Sequence, residues 1–157
     1  MSFTLNSRKN SDVQMIRVLE YKVIKKTNVK ISEMPIISNP GDAYKYFMQI
    51  FTDEIYYQET VYVLALNNAK RVLGHFKLSS GGVSHTIIDT RVLFPMLLLT
   101  PGCTDFIMAH NHPSGNIKPS YEDRKATDNI KQVGQLLGIT LVDHLVVSTE
   151  GFTSVKE

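Results

Sequence analysis

The sequence predicts a mixed α/β domain. Thr60–Leu66 is a short run rich in β-formers. Ala126, Ile130, Val133 and Leu137 recur at spacings of four, three and four, the apolar stripe of a helix. Segments of these two kinds alternate along the chain, which is the pattern of helices packed on a sheet.

Residues 1–12 are polar and read as a loosely ordered terminus. Residues 13–31 mix β-branched and apolar residues with lysine, and one extended strand is expected there. Asn39-Pro-Gly-Asp42 forms a turn into a helix carrying Ala43, Phe47 and Ile50 on one face. After the strand at Thr60–Leu66, Asn67-Asn68 is expected to turn the chain into a returning strand over 71–78. A loop at 79–82 and a short extended piece at 83–88 follow. Asp89 or Thr90 caps a helix running towards Thr100, which Pro95 should kink or shorten and Pro101-Gly102 should end. The apolar run 106–109 is a strand, 113–119 a loop, and Ser120 starts the next helix. Gly138 ends that helix as a C-cap, and 139–147 is the last strand. Residues 1–38 read as an N-terminal segment and 39–157 as the domain.

A chain of 157 residues with 43% hydrophobic and 20% charged residues fits one soluble globular domain. A net charge of +2 is too small to argue for nucleic acid or anionic membrane as a partner. The single cysteine, Cys103, excludes an intrachain disulfide and a multi-cysteine metal site, and it fits a reducing cytosol. The N-terminus has no apolar core of signal-peptide length. The longest apolar run, 92–99, is broken by Pro95 and is too short to span a bilayer. A soluble, cytoplasmic protein is expected.

The chemistry concentrates in one stretch, His110-Asn-His112-Pro-Ser-Gly-Asn-Ile-Lys-Pro-Ser120-Tyr-Glu-Asp123. It reads H-x-H, seven residues, then S-x-x-D. Side chains two apart on a strand face the same way, so both imidazoles can face one point. Ser120 and Asp123 fall on one side of a helix's first turn. Two imidazoles and a carboxylate suit zinc and leave a tetrahedral ion one open position, the mark of a catalytic site. Each half also has a plainer reading. Ser-x-x-Asp resembles a capping box, and an isolated H-x-H arises by chance. Together, with a Pro/Gly loop between them, they point to a metal. Ser120 can serve either helix or site, whereas Asp123 cannot easily do both at full strength. Hydrolysis also needs a general base. Asp53, Glu54 and Glu59 all precede the first hairpin strand, and spacing does not choose among them.

H-x-H-x7-S-x-x-D resembles the signature of the JAMM (MPN+) zinc metalloprotease superfamily. His110-Asn-His-Pro-Ser-Gly115, the run 106–109 before it, and Leu136-Leu-Gly-Ile139 with Val142-Asp-His144 after it resemble the RadC family, from about Asn39 to the C-terminus. The resemblance is to a RadC JAB domain standing alone, without the helix-hairpin-helix region of longer members. It implies the JAB/MPN fold, a mixed sheet flanked by helices and similar to cytidine deaminases. Deaminase chemistry itself would need a P-C-x-x-C pair, which one cysteine cannot supply. The implied zinc ligands are His110, His112 and Asp123, one ion per chain. Ser120 matches the serine that assists the tetrahedral intermediate. Glu59, at the start of the strand before the hairpin, matches the catalytic glutamate, with Glu54 as the fallback. The implied activity is hydrolysis of peptide or isopeptide bonds by a zinc-activated water, with Glu59 taking and returning the proton. Conjugates of ubiquitin-like modifiers are implied as one substrate class.

Outside the motif, His144 reads as a hydrogen-bonded structural histidine, with support of the site as the lesser alternative. His75 and His85 read as structural, and Cys103 as a small buried or loop residue. Lys22, Lys25, Lys26 and Lys30 read as a solvated face, and Ser114 as part of a turn. Two other functions compete with the hydrolase: a DNA-repair or DNA-processing accessory, and a metal-stabilised interaction module without catalysis. The near-neutral charge weakens the former, and the acidic base candidate weakens the latter.

Overall fold

A computed structural model describes residues 29–81 and 88–156. The strand expected over 13–31 and the extended piece at 83–88 fall almost wholly outside these residues, as do His85, Lys22, Lys25 and Lys26. The described end of the first stretch forms a 3-10 turn at Ile31–Glu33.

Helix α1 spans Pro40–Ile50. Asn39 Oδ1 accepts the Asp42 N–H at 3.0 Å, and Pro40 occupies the first turn, where its missing N–H costs nothing. Strand β1 is Thr60–Leu66 and β2 is Val72–Ser80. Their turn is longer than the Asn67-Asn68 pair suggested. Lys70 N–H bonds Asn67 O at 2.8 Å, and Lys70 takes φ 59°, the left-handed residue that follows a type I turn in a three-residue hairpin loop. Helix α2 is Thr90–Leu98, capped by Asp89; it runs through Pro95 and stops three residues later. Strand β3, Asp105–Asn111, extends past the expected apolar run to include His110. Helix α3 is Tyr121–Leu137, ended by Gly138 at φ 70°. Strands β4 (Thr140–Val147) and β5 (Phe152–Ser154) complete the chain.

The five strands form one mixed sheet in the order β2-β1-β3-β4-β5. Only β3 and β4 are parallel, and α3 makes the crossover between them. Helix α1 covers one face, with Phe47, Tyr62, Leu64, Ile107, Ala109 and Leu145 in that core. Helices α2 and α3 cover the other, with Val63, Leu93, Phe94, Phe106, Met108 and Ile130. With both faces covered, β1 and β3 are buried along their whole length, so each reads as a continuous apolar run and not as an alternation. Alternation along β3 places His110 with Phe106 and Met108 under α3, and Asn111 with Ile107 and Ala109 on the α1 side. The mixed α/β expectation holds, and the architecture is consistent with a JAB/MPN fold. Among the described residues, no helix is long and apolar enough to cross a membrane.

Candidate metal centre

His110 sits near the end of β3, His112 just beyond it, and Asp123 in the first turn of α3. The structure brings them together. His110 Nε2 and His112 Nε2 are 3.1 Å apart. His110 Nε2 lies 3.2 Å from Asp123 Oδ1, and His112 Nε2 lies 3.5 Å from Asp123 Oδ2. One donor atom from each residue falls within 4.8 Å of the others, a set that could hold a metal ion. The intervening loop turns at Gly115, whose φ of 76° disfavours a side chain and whose N–H bonds His112 O at 2.8 Å. His112 Nδ1 donates to the Asn116 carbonyl at 2.7 Å, which turns Nε2 towards Asp123 and leaves it a lone pair when the ring is neutral. Two imidazole nitrogens and a carboxylate, all electron-pair donors around one point, are a ligand set that zinc accepts.

The capping box of Ser120 and Asp123 is formed, and the same aspartate belongs to the group that could hold a metal. Ser120 Oγ accepts the Asp123 N–H at 3.0 Å. Asp123 Oδ2 accepts the Ser120 N–H and hydroxyl, each at 2.7 Å. Both carboxylate oxygens of Asp123 face a histidine: Oδ2 closes the cap and also lies beside His112, while Oδ1 faces His110 and takes no part in the cap. Burial alone would raise the Asp123 carboxyl, but hydrogen bonds from the Nε2–H of His110 and His112, present when those rings are protonated, and from Ser120 hold it far below the usual carboxylate range. The Asp123 hydrogen bond raises His112 above the ordinary histidine value, against burial; the Asn116 carbonyl and the charges of Asp123 and Glu59 add to the rise.

His144 is hydrogen-bonded, as expected, but its partner is the candidate ligand itself. Its Nε2 lies 2.8 Å from His110 Nδ1, and its Nδ1 lies 2.7 Å from Thr127 Oγ1. Complete burial pushes His144 well below the usual histidine range, so it is neutral. The geometry thus fits both readings, a hydrogen-bonded buried histidine and one whose partner is a candidate ligand.

The three base candidates separate. Glu59 lies two residues before Val61, which stands opposite His110 across the β1–β3 pair. Its charge reaches His112. Glu54 is engaged by the Tyr62 hydroxyl at 2.8 Å and by Lys77 Nζ at 2.9 Å, and Tyr62 belongs to the core on the α1 face, opposite His110. Asp53 opens the 3-10 turn Asp53–Tyr56 that carries Glu54.

Sequence reasoning missed two residues. Asn111, wholly buried between the two histidines, accepts the Thr60 N–H at 2.9 Å and donates to the carbonyls of Ile55 at 2.9 Å and Gln58 at 3.0 Å. It thus pins both ends of the segment that bears Glu59. Its signal is an amide inside a fully apolar strand, a group that must find partners. Thr127 is the other; its position four residues after Asp123 on α3 puts it on the same helix face. Of the remaining residues, His75 Nδ1 bonds the Tyr46 hydroxyl at 3.0 Å, and Ser114 Oγ accepts the Asn116 N–H at 3.4 Å within the turn. Cys103 is half-buried in a loop, and burial raises its thiol.

The family model described as RadC-like JAB domain matches residues 37–157. The UPF0758 protein of Flavobacterium johnsoniae is 38% identical over 128 residues, which cover 81% of this chain and 55% of that protein. The UPF0758 protein of Thermotoga maritima is 37% identical over 114 residues, 73% of this chain and 50% of that protein. The UPF0758 protein of Porphyromonas gingivalis is 35% identical over 122 residues, 76% of this chain and 52% of that protein. The chain spans about half the length of these curated relatives. With its JAB-domain match spanning both histidines, Asp123 and His144, this chain belongs to the RadC family.

Proposed function

We propose that this domain is a zinc-dependent hydrolase of amide bonds, in peptides or isopeptides. The observation that carries the reading is the convergence of His110, His112 and Asp123 from a strand end and a helix start on one point. Zinc, when bound, supplies a Lewis acid and a water whose pKa is lowered towards neutrality.

The chain's own residues divide the remaining work. His110, His112 and Asp123 hold the ion. Glu59 receives the proton of the attacking water and returns it to the departing amine. Its place two residues before Val61, the partner of His110, on a segment pinned by Asn111, supports it over Glu54, which is held by Tyr62 of the opposite face's core. The Ser120 hydroxyl assists at the reacting carbonyl oxygen. Its hydrogen now rests on Asp123 Oδ2, so that assistance requires it to give up this bond, a swap favoured when a cation satisfies the carboxylate. The substrates are peptides or proteins, with conjugates of ubiquitin-like modifiers among them.

Metal analysis of protein purified without chelator should find one zinc per chain. His112→Ala and Asp123→Ala should each lose the metal. Glu59→Gln should keep it and lose amide hydrolysis by about 100-fold or more. Absence of stoichiometric zinc in the wild type would remove the reading, and a fully active Glu59→Gln would remove the base assignment.

A further inference from the structure

His144 takes no part in that reaction scheme, yet it is wholly buried, on β4 opposite Met108 of β3, with its ring between His110 and Thr127. The direction of the hydrogen bonds in this row follows from its far end. The Asp123 main-chain carbonyl can only accept, so Thr127 Oγ1, 2.6 Å away, gives it the one hydroxyl hydrogen. The hydroxyl oxygen must then accept from His144 Nδ1. A neutral His144 with its hydrogen on Nδ1 presents only a lone pair at Nε2. His110 Nδ1, 2.8 Å from that lone pair, must carry a hydrogen. In a neutral ring the lone pair of His110 then lies on Nε2, the atom beside His112 Nε2 and Asp123 Oδ1. The reverse order would leave two oxygens, Thr127 Oγ1 and Asp123 O, facing each other at 2.6 Å with no hydrogen between them. The chosen order instead leaves acceptors facing at the wider separations around His110 Nε2, 3.2 Å to Asp123 Oδ1 and 3.1 Å to His112 Nε2, where a cation would sit between them.

We propose that His144 and Thr127 are positioning residues, a buried relay that fixes His110 as the Nδ1–H tautomer and so presents its Nε2 as a metal donor. The presentation to metal rests on the zinc reading above, whereas the tautomer exists without any ion. The row begins on His110 and ends on the backbone of Asp123. It therefore ties together two ligands from different layers through groups that never touch the substrate.

The direct test is nitrogen-15 NMR of the imidazoles in the metal-free full chain, at a pH alkaline enough for the rings to be neutral. The expected result is His110 protonated at Nδ1; protonation at Nε2 would overturn the proposal. The second test is zinc affinity, by competition with a chromophoric chelator. His144→Leu removes the acceptor and should weaken zinc binding about 10–100-fold. His144→Gln restores an oxygen that can accept from His110 Nδ1 and should recover most of that loss. A folded His144→Leu that binds zinc as tightly as wild type overturns the relay. Should this variant fail to fold, the wild-type tautomer decides alone. Should the wild type take up no zinc, the hydrolase reading falls, and the tautomer still judges the relay.

Discussion

Asn111 separates the two histidines in sequence but serves the opposite face of β3. Its carboxamide uses its oxygen and both its hydrogens on the backbone of residues 55–60, so truncation would strand the Thr60 N–H and the Ile55 carbonyl and leave the Gln58 carbonyl with only the Thr60 hydroxyl. Asn111→Ala should lower unfolding stability by about 3 kcal/mol, read by urea titration, because unsatisfied buried groups cost about 1–3 kcal/mol each and water will reach some of them. Glu54 gives a smaller and pH-dependent effect. Burial raises its carboxyl, but hydrogen bonds from Lys77, Tyr62 and Thr52 prevail and hold it below the usual range. A folded pKa below the unfolded one contributes stability that is present above the unfolded value and is lost as pH falls through the folded value. Lys77 is exposed enough for solvent to screen the pair, so Glu54→Gln should cost only about 0.5–1 kcal/mol at pH 7. Urea titrations at pH 7 and at acid pH should show that difference vanish once the wild-type carboxylate is protonated.

Among the elements, α3 shows how several local signals can agree. Ser120 and Asp123 close its N-terminus, Thr127 and Ile130 face the sheet, and Gly138 takes the left-handed conformation at its end. All but Thr127 could be read from the sequence, since each acts within a turn or two of itself. The β1–β2 connection was less legible, because a lysine at φ 59° carries no sequence signal. The four motif residues were legible because they share one short stretch. The rest of the site was not: His144 reaches its partners over 17 and 34 positions, and Asn111 over up to 56, through strand register that composition does not encode. Gly134 is a similar case. A Cβ there would lie 2.4 Å from the Ile139 carbonyl oxygen, on the backbone that Gly134 O itself holds through the Ile139 N–H at 2.9 Å. Gly134→Ala should therefore destabilise the protein by about 1–3 kcal/mol despite the better helix propensity of alanine, as measured by denaturant titration.

For the molecule as a whole, the candidate centre lies where β3 of the sheet meets α3 of the covering layer. A ligand that binds only the folded state stabilises it by mass action, about 2.7 kcal/mol at a free concentration 100 times Kd. For a domain of this size that is a rise in Tm of about 5–10 °C, which calorimetry with zinc should show and a chelator should reverse. The same placement bears on the order in which the protein takes shape. Both histidines and Asp123 come from one continuous strand-loop-helix stretch, so bringing them together closes only a short loop. Glu59 is fixed in place only when Asn111 meets Thr60, 51 positions away, and that contact must wait for β1 to pair with β3. Loop-closure entropy grows with separation, so on the zinc reading proposed above the three ligands meet at a smaller entropic cost than the base meets them. Loosening the β1–β3 pairing would then cost amide hydrolysis before it cost metal.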